Sequence, residues 1–285
     1  MTRNASHLAI VTASLLSASG VFAQSIAPAA EPAPQHRHQP SGAFVQETEP
    51  ASPLSFNIAL TSNYKFRGQD QDQSKTRSFK PALQGGVDYA FGNGVYLGNW
   101  NSTVNWTRYL PSNPSNKVEI DLYGGYKFKA GPLDLDVGAL TYLYPGASGA
   151  NTTEVYIGGA YGPVSAKYSR TVSKGYFGVG KEFLIGEGRG TSYLNLAFAQ
   201  EVMPKLTFKA SVGFTDLKGA ANSAGLPDYT DYSVGASYDL GSGLALAGSV
   251  VGANKKSNYV YPAAVDTGGK SINKNTLVVT LTKTL

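Results

Sequence analysis

The chain carries 285 residues with no cysteine, 24 Lys and Arg against 19 Asp and Glu, 33 glycines and 18 tyrosines. Without cysteine, disulfide frameworks and thiolate metal sites are excluded, and a positive excess this small and this dispersed excludes a nucleic-acid partner. No stretch beyond the first 23 residues reaches the ~18 consecutive apolar residues of a transmembrane helix, so a membrane location would require strands.

Residues 1–23 read as a signal peptide: Arg3, an apolar run from Leu8 to Phe22, and small residues Val21 and Ala23 ahead of Gln24. Residues 24–53 hold Pro28, Pro32, Pro34, Pro40, Pro50 and Pro53 among Ala, Gln and Glu, a composition that buries little apolar surface and predicts a disordered linker. His36 and His38 flank Arg37 there. Two histidines without a third ligand read as solvated linker, so no metal is assigned.

From Leu54 to Leu285 the sequence falls into twelve stretches that alternate residue by residue, the period of a strand with two unlike faces. One face is oily. It takes Phe56, Ile58, Leu60, Tyr64 and Phe66 in a first stretch running to Arg67, then Phe79, Leu83, Val87, Tyr89 and Phe91, and so on to Leu277, Val279 and Leu281, with charge only at Arg170 and Lys283. The other face holds the charges, Lys65, Arg67, Lys80, Asp88, Glu119, Asp121, Lys127, Asp136, Glu154, Lys167, Lys209 and Asp231 among them. The third stretch fits least well, because Trp100, Val104 and Trp106 share the inner parity while Asn101 and Asn105 point out, and a bulge is expected beyond Gly98.

Connections alternate in length. Tight turns are expected at Gly92-Asn93-Gly94, Gly131-Pro132, Gly162-Pro163, Met203-Pro204-Lys205 and Gly241-Ser242-Gly243, and longer polar loops at roughly 68–77, 107–116, 146–152, 173–190, 216–228 and 254–274. Around Gly131-Pro132 the register sets Phe128 against Leu135, Lys127 against Asp136 and Lys129 against Asp134. Phe91, Phe128, Tyr161 and Tyr238 precede short turns, while Tyr64, Phe66 and Phe214 sit by long loops, which outlines two aromatic girdles. A soluble barrel would turn the oily face inward. The leader, the even strand number, the sorted loops and the inward charges instead predict a 12-stranded antiparallel up-and-down transmembrane β-barrel over residues 54–285, with short periplasmic turns and longer extracellular loops, in the outer membrane of a Gram-negative bacterium.

Six stretches then resemble a family of exported proteobacterial outer-membrane proteins described as TorF-type porins: Ser62-Asn63-Tyr64-Lys65-Phe66-Arg67-Gly68 with Gln71; Tyr96-Leu97-Gly98-Asn99-Trp100 with Ser102; Glu119 to Tyr126; Tyr144-Pro145-Gly146; Glu154-Val155-Tyr156; and Asp228 to Tyr232. They follow the family's order. The Pro-rich leader and the glycine-rich region from Gly175 to Gly190 depart from it. The resemblance implies an outer-membrane channel and fixes no solute.

The barrel region contains no histidine, so Ser/His/Asp or Cys/His nucleophilic sites cannot be assembled and no enzymatic activity or cofactor is expected. Carboxylate pairs such as Glu119 with Asp121 read as a lumenal charge ladder. The Gly186-Glu187-Gly188-Arg189-Gly190 run has no Lys-Ser/Thr after it and reads as a flexible outer loop, not a phosphate cradle. The inward charges, eight basic against nine acidic, are too balanced for strong ion selection. Twelve strands suggest a narrow pore, lined by Lys65, Arg67, Lys80, Glu119, Asp121, Tyr123, Tyr142, Tyr144, Glu154 and Tyr156; the tyrosines would either narrow it or brace the wall. The expected function is passive diffusion of small hydrophilic solutes. The expected partners are outer-membrane lipid and the barrel-insertion machinery, which would read a terminal strand, Leu277 to Leu285, that lacks the usual final aromatic residue. The competing reading is a non-conducting barrel that acts through its loops or braces the envelope.

Overall fold

A computed structural model describes residues 52–73, 79–263, 265–266 and 268–285. The signal peptide and, apart from Ser52 and Pro53, the linker lie outside the described residues.

Twelve antiparallel strands close into a barrel: β1 (Leu54–Thr61), β2 (Ala82–Ala90), β3 (Val95–Thr103), β4 (Val118–Ala130), β5 (Leu133–Leu143), β6 (Thr152–Tyr161), β7 (Val164–Thr171), β8 (Ser192–Met203), β9 (Leu206–Asp216), β10 (Tyr229–Gly241), β11 (Leu244–Ala253) and β12 (Thr276–Thr284). Each strand pairs with its neighbours in sequence, and β1 closes on β12 with Leu60 opposite Leu281. Closure leaves no free edge. The five tight turns fall where the sequence places them, and their geometry explains their residues. Gly94, Gly131, Gly162, Lys205, Ser242 and Gly243 take positive φ there, as reversals of two or three residues between right-twisted strands require.

The outer face is apolar along every strand. Leu60, Leu83, Ile157, Val234 and Leu277 are each at least half exposed, within a belt far larger than any apolar patch on a water-soluble monomer. Phe91, Phe128, Tyr161, Tyr238 and Phe214 also project outward at strand ends. Polar and charged residues face the interior. This inverted distribution is that of a barrel surrounded by hydrocarbon.

Three expectations are corrected. The first strand stops at Thr61 rather than Arg67, so Tyr64 and Phe66, placed by parity on the oily face, lie inside at 1% and 8% exposure. The register of β3 runs unbroken from Tyr96 to Ser102 against β2 and from Val95 to Thr103 against β4; the bulges occur instead at Glu201/Met203 and Asp239/Gly241, beside tight turns. Trp100 points inward, as its parity requires, because the cross-strand Gly86 leaves room beside it. Finally, the glycine-rich 173–190 region packs over the mouth. It carries a short parallel ladder, Val179–Gly180 with Leu184–Ile185, and lowers Phe177 onto Phe66 and Tyr142 at centroid distances of 5.2 and 4.9 Å.

Candidate functional site

Beyond Thr61 the chain leaves the wall and turns into the lumen. Lys65–Phe66 pairs with Gln69–Asp70 across Arg67-Gly68, both with positive φ (47° and 76°). This is the backbone of a two-residue hairpin turn of the primed kind. A Cβ on Gly68 would lie 2.7 Å from both the Gly252 carbonyl oxygen and Asp231 Cβ. The tip of this inner hairpin therefore abuts the far wall with no space for a side chain.

Charge-assisted bonds hold the hairpin on three sides. Tyr64 donates its hydroxyl to Glu119 at 2.6 Å, and Tyr144 donates to the other oxygen of the same carboxylate. Arg67 donates through Nη2 to Glu154 at 2.7 Å and through Nη1 to the Tyr176 hydroxyl at 3.3 Å, while its guanidinium lies 4.3 Å from the centroid of the Tyr193 ring. Asp70 gathers Lys65 at 2.9 Å, Lys80 at 3.1 Å and Lys274 at 3.5 Å and accepts a bond from Tyr261. Lys65 also donates to the carbonyls of Gly68, Ile272 and Lys274. Burial pushes the Lys65 ammonium down to about 8 against the pull of Asp70. Burial alone would raise the Asp70 carboxyl, but Lys65 and Lys80 outweigh it and hold it below the usual carboxylate range. Removing one partner from pairs this buried leaves an uncompensated charge, at a cost of about 3–5 kcal/mol.

All ten residues singled out in the sequence face the interior and are buried. The structure brings Lys65 and Lys80 together about Asp70, Arg67 onto Glu154, and Tyr144 onto Glu119. Asp121 and Tyr142 stand opposite each other in the β4–β5 register. Tyr123 and Tyr156 occupy a deeper layer. There Tyr123 donates to Asp88 at 2.6 Å, Tyr96 donates to Asp136 at 2.7 Å and meets the Tyr156 hydroxyl, and Lys167 lies 3.8 Å from the Tyr156 ring centroid. These tyrosines recline along the wall. Tyr123 covers its cross-strand partner Gly98 and Tyr156 covers Gly138, each so closely that a Cβ on the glycine would collide with the ring. The sequence pattern missed Asp70, Tyr176, Phe177, Tyr261 and Lys274, all supplied by loops. The polar run Gln69-Asp70-Gln71-Asp72 was the available signal.

The other side of the lumen is built differently. On β8 to β12 the inward positions are mostly Ala, Ser, Thr and Gly: Ala197 and Ala199, Ser211 and Gly213, Ser233 and Ser237, Ala247 and Ser249, Thr280 and Thr282. Tyr193 reaches Asp231 at 3.2 Å near the hairpin tip. Further in, Lys209 stands between Ala199 and Gly235 in the register of its neighbours.

Fold and site together define a closed twelve-stranded barrel with an apolar exterior, a polar interior and an inner hairpin locked by ion pairs. The family described as "Bacterial protein of unknown function (Gcw_chp)" matches residues 46–285, and the chain belongs to that family. No curated protein matches it significantly. Among solved structures the chain is similar to the KdgM porin in complex with disordered oligogalacturonate, at 9% identity and a TM-score of 0.47 over 81% of this chain and 97% of that one. It is also similar to the NanC porin, at 12% identity and a TM-score of 0.49 over 80% and 97%.

Proposed function

We propose that the protein is a porin-like channel of the outer membrane, through which small hydrophilic solutes diffuse passively along a narrow, charged lumen. The observation that carries this reading is the inverted polarity of a closed barrel. An apolar belt meets lipid, while the interior is lined by charges, hydroxyls and amides that have no purpose in a solid apolar core. On this reading Lys65 and Arg67 of the inner hairpin, with Lys80, Glu119, Asp121, Tyr123, Tyr142, Tyr144, Glu154 and Tyr156 of the wall that it docks on, line the constriction. Export by the leader, insertion through recognition of the Leu277 to Leu285 strand, and a place among outer-membrane lipids belong to the same proposal.

The locked hairpin favours a second reading, a barrel closed at rest that works through its outer loops. Planar-bilayer recording separates the two. The wild-type protein is expected to show discrete single-channel steps, and a variant with residues 63–72 replaced by a short Gly-Ser link is expected to show larger ones. Silence of the folded wild type, with steps appearing once the hairpin is removed, supports the second reading; silence of both overturns the channel.

A further inference from the structure

Counting inward charges treats them as equivalent, and the structure separates them. Around the hairpin, Lys65 and Lys80 are held by Asp70 and Arg67 by Glu154. On the barrel strands, Lys127 lies over Tyr96 at 4.5 Å and opposite Asp136, Lys167 lies over Tyr156, and Lys129 pairs with Asp134. Lys209 differs. Among the described residues its ammonium has no ion pair, hydrogen bond or aromatic partner. It projects from β9 into the side of the lumen lined by small residues and is only partly buried.

The carboxylates that share this wall each accept a hydrogen bond of their own, in a turn or near the mouth, and among the described residues none pairs with Lys209. Glu201, diagonal to Lys209, accepts the Lys205 backbone N–H at 3.0 Å within the β8–β9 turn. Asp239 accepts the Gly241 N–H at 2.7 Å within the next tight turn. Asp231, nearer the mouth, is bonded to Tyr193 and covered by the hairpin tip. A paired charge presents a short-ranged dipole to a passing ion, whereas an uncompensated one in a low-dielectric lumen acts at full strength. Hydroxyls of Ser211, Ser233 and Ser237 border Lys209 at neighbouring register positions, so a carboxylate drawn to the ammonium would find further donors.

We infer that Lys209 is the anion station of this lumen: the solute path follows the small-residue wall of β8 to β12, and the channel prefers small anions, carboxylates included, over cations. The inference rests on the channel reading, and one experiment distinguishes the failure of each. Reversal potentials are measured in a potassium chloride gradient and again with acetate replacing chloride, for the wild type and for Lys209→Met, Lys209→Arg and Lys127→Met. The wild type is expected to favour the anion in both salts. Lys209→Met should lose that preference, Lys209→Arg should keep it, and Lys127→Met, whose charge is already committed, should resemble the wild type. A cation-preferring wild type, or a preference that survives Lys209→Met while that protein folds and conducts, overturns the inference and leaves the channel standing. If Lys209→Met fails to fold, a Lys209→Arg channel without anion preference overturns it equally. A folded wild type that never conducts removes the channel reading itself.

Discussion

The two halves of the lumen wall solve one problem in opposite ways. From β2 to β7 the interior is filled: Trp100, Tyr123, Tyr142 and Tyr156 cover the sheet, charges are matched at bonding distance, and the inner hairpin docks on Glu119 and Glu154. From β8 round to β1 the interior is bare, with side chains of one to three heavy atoms at most positions. Both halves present the same apolar belt outside. Strand number and tilt set the width of the ring, but the asymmetry of side-chain volume decides which part of it is occupied. Any open path must therefore run off the axis, towards the bare wall.

Substitutions that add volume or charge test this contrast directly. The largest effect is expected at Gln84, which is 5% exposed and bonded to Ser102 on the filled wall. Gln84→Arg places an unmatched charge in a packed layer and should cost about 3–5 kcal/mol, whereas Ser211→Arg on the bare wall should stay within about 1 kcal/mol. Denaturant unfolding in liposomes reads both, and equal costs would erase the distinction between the halves.

On the outer face the halves should become indistinguishable. Leu83→Arg and Ala210→Arg each expose a charge to hydrocarbon and should lose about 2–4 kcal/mol in the same assay. A large difference between them would mean that the asymmetry extends to the lipid side.

Glycines sharpen the contrast further. Gly138→Ala drives a methyl into the Tyr156 ring and the Gly124 carbonyl, and overpacking of this kind should cost about 1–3 kcal/mol. At the outward-facing Gly248 of β11 an added Cβ meets nothing within 4 Å, so Gly248→Ala should change stability by no more than about 0.5 kcal/mol. Thr280→Val, which removes a 2.8 Å hydroxyl contact to Thr61 on the bare side, should cost about 0.5–1.5 kcal/mol, the worth of such a bond, so it falls between the two glycine variants.

The alternation of Leu83, Val87 and Tyr89 with Gln84 and Asp88 made the barrel legible, because period two is imposed by the backbone itself. The facing of Lys127 and Asp136 was legible because the tight turn at Gly131-Pro132 fixes register. The inner hairpin was not. Its arms, Lys65–Phe66 and Gln69–Asp70, are themselves extended, so Tyr64, Lys65, Phe66 and Arg67 continue the same alternation past the true end of β1 at Thr61. A strand end inside an unbroken period leaves no mark. The mouth was misread for a different reason. Gly178 and Gly188 suggested slack, whereas the former takes φ of 84° against Leu110 and the latter admits Tyr176 to close contact. Glycine marks tight packing as readily as it marks freedom, and composition does not separate the two.

The inner hairpin also orders events in time. It grows from the end of β1, yet Lys65 bonds to the carbonyls of Ile272 and Lys274, Gln69 to Asn273 and the Asp70 N–H to Ile272, partners more than 200 residues away that directly precede β12. Until the final strand arrives these partners are unplaced, and so distant a loop closes late. The hairpin can therefore lock only as β1 and β12 zip together. Its locking becomes a built-in timer for ring completion, and resistance of the Arg67 peptide bond to trypsin during refolding is expected to appear with closure and not before it.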